Sequence, residues 1–117
     1  MTESKLQKRA LVREELVRIS KELCSKDDQS KLGLALRGVL PSLDHAFILH
    51  WVPEQAEDIY WVLISPAEIA EVELIRNRAS EEEPVSLRVI DVAMFLRRHL
   101  SREVKERLEI ALELART

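Results

Sequence analysis

An α+β fold, with helices at both ends of an antiparallel β-meander, is predicted for this 117-residue chain by three observations. Apolar residues recur at helical spacing near both termini. Between them, residues 45–76 are rich in β-branched and aromatic side chains. The polar breaks inside that stretch are short, and short connections join antiparallel rather than parallel strands. The length suits one domain with a single closed core. It divides into a helical part at 1–43, a meander at 45–76, a loop with a candidate fourth strand at 77–90, and a helical part at 91–117.

The first helix covers Lys5 to Cys24, because Val12, Leu16, Ile19 and Leu23 fall on one helical face, widened by Leu6, Ala10, Val17 and Cys24. Two heptads are too few for a stable coiled coil, so core packing is expected, with self-association as the alternative. After the polar break Ser25 to Ser30, the residues Leu32, Ala35, Leu36, Val39 and Leu40 keep helical spacing until Pro41 ends the helix. Three strands follow, His45 to Val52, Ile59 to Ser65 and Ile69 to Arg76, joined by a polar loop and by Ser65-Pro66-Ala67-Glu68, where proline suits a type I turn. Asn77 to Pro84 is a charged loop. Residues 85–90 alternate as a fourth strand would, though a helix start competes. Asp91 can cap a helix through Leu100. Ser101 can cap another whose inner face is Val104, Leu108, Ala111 and Ala115.

The simplest pairing sets Trp51 against Tyr60, Val52 against Ile59, Ile64 against Ile69 and Val62 against Glu71. One face of the sheet then holds Ala46, Ile48, Val52, Ile59, Trp61, Leu63, Ala70, Val72 and Leu74, with His50 as its single polar member, and is the expected core. The other holds Phe47, Leu49, Trp51, Tyr60, Val62, Ile64 and Ile69, interrupted by Glu71 and Glu73. A sheet with one wet side should alternate into polar residues, and this one does not. The second face therefore needs a cover: the chain's own helices, a second copy or another partner.

Charge is segregated along the chain. Residues 1–26 carry a net +3, residues 27–83 a net −8 and residues 84–117 a net +2. No Lys or Arg lies between Arg37 and Arg76, while Asp44, Glu54, Glu57, Asp58, Glu68, Glu71 and Glu73 do, so the meander is acidic. Such a field attracts a basic partner and repels nucleic acid. Arg88, Arg97, Arg98, Arg102, Lys105 and Arg107 form a basic concentration, but Arg102 with Glu106, Glu103 with Arg107 and Lys105 with Glu109 read as pairs along one helix. With no aromatic among them and an isoelectric point near 5.7, nucleic-acid binding is not expected.

Recognised catalytic patterns are missing. Gly33 and Gly38 have the glycine spacing of a phosphate loop without its Lys-Ser/Thr or the strand before it. His45, His50 and His99 show no metal spacing, and Glu54, Glu57 and Asp58 do not follow the twelve-residue calcium loop, so neither metal nor cofactor is expected. The lone Cys24 sits in a helix pattern and reads as a core residue; no nucleophile elbow surrounds a Ser, Thr or Cys. An enzyme would need a pocket joining His50 to two or more carboxylates. No run is long enough to span a bilayer, and the mixed charge of the first nine residues fits neither a secretory leader nor a transit peptide, so a cytoplasmic location is expected.

The expected function is non-catalytic: a small protein-binding or regulatory domain, of the inhibitor or immunity type, using an acidic aromatic sheet surface. Trp51 and Tyr60 would anchor a protein partner, while Glu54, Glu57, Asp58, Glu71 and Glu73 orient it. The alternative is a structural homodimer joined through the second sheet face or the N-terminal helix.

Overall fold

The computed structural model describes residues 2–75 and 86–117. Eight elements follow in order: α1 (Thr2–Cys24), α2 (Lys31–Val39), β1 (Phe47–Pro53), β2 (Glu57–Leu63), β3 (Glu68–Ile75), β4 (Ser86–Asp91), α3 (Val92–Leu96) and α4 (Arg102–Ala115). The strands form one antiparallel sheet in the order β1-β2-β3-β4, so the fold is α+β and residues 86–91 are a strand. The expected charged loop at 77–84 lies outside the described residues.

Helices lie on both faces of the sheet. On one face, α4 and α3 cover Phe47, Leu49, Leu63, Ile69 and Ile90, filling the space with Phe95, Val104, Leu108, Ile110 and Ala111. On the other, α2 and the end of α1 cover Val62, Ala70, Val72 and Leu74 with Leu23, Leu32 and Leu36. The helix α1 packs on β1, α2 and α4, and it supplies Leu16 to the first core and Leu23 to the second. One core was expected; two are present, and the chain's own helices cover most of both faces. The predicted inner residues of α4 are all buried, whereas Leu6 and Ala10 of α1 are exposed rather than part of its packed face.

Two irregularities decide which residues share a face. In β1 the register shifts between Ile48 and His50, so Leu49 is an extra residue, buried in the α4-side core. Ile48 and Trp51 then share a face with Val62 and Tyr60, while Phe47, His50 and Val52 share the other with Leu63, Trp61 and Ile59. Between β2 and β3, Leu63 pairs with Ile69, Val62 with Ala70 and Trp61 with Glu71, one residue away from the simplest pairing. A slip of one reverses every side chain of a strand. Glu71 and Glu73 are therefore on the Trp61 side, opposite Trp51 and Tyr60, and the expected sorting into one core face and one aromatic face does not hold. This register places Ala70, Val72 and Leu74 under α2, and the acidic partners of the alternation on the other side.

The caps follow local chemistry. Ser30 and Ser101 accept hydrogen bonds from the amides of Gly33 (3.1 Å) and Val104 (3.2 Å), as N-cap serines do. Asp91 stands at the N-cap of α3 without a side-chain bond, and α3 stops at Leu96, short of the helix expected through Leu100. The chain turns there and brings Arg98 over the sheet. In α4, Glu106, Glu109 and Glu113 turn to Arg9 of α1 at 3.8 Å, so these contacts join helices instead of running along one.

Candidate functional site

Trp51 and Tyr60 are directly opposed on β1 and β2, and their rings stack 6.1 Å apart at 10°. Trp51 is 52% exposed, while Tyr60 is half-buried against the α2-side core. The indole of Trp51 donates to Asp58 Oδ1 at 3.1 Å, which fixes the ring across the strand pair. Phe47, by contrast, is buried. Beside this platform a cleft of about 370 Å³ opens along β1, between α1 and α4, lined by Ile48, Trp51 and Tyr60 and rimmed by Glu15, His50 and Glu103.

Arg107 controls the floor of that cleft. Its Nε and one Nη donate to the carbonyl of Ile48 at 3.1 and 2.8 Å, at the point where the register shift disturbs the ladder. Its other Nη lies 3.6 Å from Glu15. The cation is thus committed within the molecule, and Glu103 at the rim is exposed.

The other predicted site residues are dispersed. Asp58 joins Trp51 and Tyr60. Glu54 is exposed in the turn after β1, where its amide donates to the Glu57 carbonyl at 2.7 Å. Glu57 and Glu73 are half-buried on the opposite side of the sheet. Glu71 is the most enclosed: its carboxylate accepts from Trp61 Nε1 at 2.8 Å and from Arg88 at 2.8 Å, and lies 3.0 Å from Arg98. Burial raises its pKa, but the hydrogen bonds from Trp61 and Arg98 and the charges of Arg88 and Arg98 outweigh that, so the carboxyl sits below its ordinary value. Arg98 also lies over the Trp61 ring, 5.9 Å from its centroid.

His50 stacks on Trp61 at 5.4 Å and 24°. The cleft joins it to Glu15 and Glu103, the combination an enzyme would need, with the imidazole stacked on an indole and Glu15 facing Arg107. Cys24 is half-buried, with a thiol pushed up chiefly by desolvation, which disfavours a reactive thiolate. Gly33 and Gly38 lie within α2. Among the described residues, no group of three His, Cys, Asp or Glu is placed to hold a metal ion, and no helix is long and apolar enough to cross a membrane.

Sequence reasoning missed the Trp61, Glu71, Arg88 and Arg98 cluster, because it depends on the β2–β3 register and on an arginine far along the chain. Comparison with known proteins finds no matching family model, no similar curated protein and no similar solved structure.

Proposed function

We propose that the protein is a non-catalytic binding domain that takes a basic protein partner at the β1 cleft. The observation that carries this reading is Trp51, a large aromatic left half-exposed yet held in place by Tyr60 and Asp58 at the mouth of a preformed cleft. Rigid aromatics with a polar handle are favoured binding anchors, since little side-chain freedom is lost on contact. Glu15 and Glu103 line the cleft and Asp58 holds Trp51 at its mouth, whereas Arg107 is engaged by Glu15 and the Ile48 carbonyl. The remaining charge favours lysine or arginine side chains arriving from a partner. Glu71 and Glu73, on the far side of the sheet, are no part of this surface.

Affinity capture followed by cross-linking tests the reading. The wild type should retain a basic protein, and retention should weaken as salt is raised. Trp51→Ala should lower the affinity by about tenfold or more, and Glu103→Lys by a smaller factor, with circular dichroism showing both variants folded. Equal capture by all three proteins would refute the proposal. A second reading, self-association through α1, is favoured by Leu6 and Leu11, which are 64% and 65% exposed. Light scattering separates the two, because a dimer broken by Leu6→Glu and indifferent to Trp51→Ala belongs to the second reading.

A further inference from the structure

Next to the β1 cleft, and sharing His50, Ser101 and Val104 with it, lies another cavity, of about 310 Å³. Its walls are apolar at Trp61, Phe95, Leu100 and Val104, and its polar groups are His50, Arg98, His99 and Ser101. The volume is at the lower end for small-molecule sites, and mostly apolar walls with a few convergent polar groups are their usual character.

Charge selects the ligand. Glu71 meets two guanidinium groups, those of Arg88 and Arg98, which leaves the cluster with one positive charge in excess. Arg97 and Arg102, which flank the lining segment 98–101 in the chain, are exposed and add to that field, against the exposed Glu103. Glu71 also fixes Arg98 in position: its Nη2 is 3.0 Å from the carboxylate, and the guanidinium is held over the Trp61 ring. A cation placed first by an internal carboxylate needs no ordering when a ligand arrives. The imidazoles of His50 and His99 add hydrogen-bonding capacity at the cavity wall. A cationic ligand would meet Arg98, and a bare inorganic anion would leave the apolar walls unfilled. We infer that this cavity binds a small organic anion with a flat apolar body, of the aryl carboxylate class, its carboxylate toward Arg98 and His99 and its ring among Trp61, Phe95 and Leu100.

Trp61 and Arg98 line this cavity and not the β1 cleft, and the test keeps the two apart by using Trp51→Phe protein, in which Trp61 is the sole indole. Benzoate, inorganic phosphate and benzylammonium are titrated while the Trp61 indole NMR signal and its fluorescence are followed. Benzoate should shift the signal saturably at millimolar concentration, about 1–10 mM for so small a probe. Phosphate and benzylammonium should not. His99→Glu, a change at an exposed position, should weaken benzoate binding by about fivefold or more with an unchanged melting temperature. Arg98→Lys should weaken it as well, since lysine cannot keep the two-sided contact with Glu71 and the ring. The inference is overturned if benzoate gives no saturable shift, if benzylammonium or phosphate shifts the signal equally, or if His99→Glu binds benzoate as the wild type does.

Discussion

Glu71 is the residue whose surroundings most exceed its local sequence. Its carboxylate, enclosed by Trp61, Arg88 and Arg98, is held below its ordinary pKa. In the unfolded chain it returns to the usual range near 4.3. A folded pKa below the unfolded one contributes stability that is present above the unfolded value and lost as pH falls through the folded one. Urea unfolding should therefore show Glu71→Gln to be less stable than the wild type by about 1–2 kcal/mol at pH 7, with the gap closing towards pH 3. A gap that stays constant across that range would show that the charge of Glu71 contributes nothing. At this scale the sequence was partly legible. The caps at Ser30 and Ser101 depend on neighbours in the chain and were readable from it for Ser101. The Glu71 cluster joins three strands and the segment after α3, and no local pattern announces it.

At the scale of elements, α2 shows how one glycine can be required and another spare. A Cβ at Gly33 would collide with the Asp28 carboxylate and crowd Arg37 and Ser30. Those side chains close the α1–α2 connection: Arg37 donates to the Leu23 carbonyl at 2.7 Å and to the Asp28 carbonyl, so it serves the carbonyl end of α1. Gly38 has nothing within 4 Å of its would-be Cβ. Gly33→Ala should cost about 1–2 kcal/mol through this crowding, while Gly38→Ala should stabilise by about 0.5 kcal/mol through the lower entropy of the unfolded chain. Thermal melts of the two variants check the contrast, and shifts of the same sign would refute it. Helical and strand segments were legible because period and composition are local, and α4 buries every residue its period assigns inward. The Leu49 irregularity and the one-residue slip between β2 and β3 were not. The first coincides with the carbonyl that Arg107 reaches from α4, and the second with the burial of Ala70, Val72 and Leu74 beneath α2. Both are outcomes of packing between distant segments.

At the scale of the whole molecule, both faces of the sheet are apolar, though neither has the membership the simplest pairing gave it, and the chain's own helices cover most of each. What remains uncovered of the sheet among the described residues is narrower than a face: Trp51 with the cleft beside it, and Val89 on β4. The α+β class was legible from the order of helical and strand patterns, whereas the division into two cores was not, since it rests on which strands the helices cross. Leu16 of α1 belongs to the α4-side core and Leu23 to the α2-side core. Leu16→Ala should cost about 3 kcal/mol. Far-ultraviolet circular dichroism and Trp61 fluorescence in the Trp51→Phe background should report the same lowered midpoint, as all-or-none unfolding requires. Separate midpoints for the two probes would show that the layers melt apart. A beam common to both storeys of a building ties their collapse together. With α1 in that role, damage done above the sheet is felt below it, and a ligand that steadies either storey protects the other from heat and proteolysis alike.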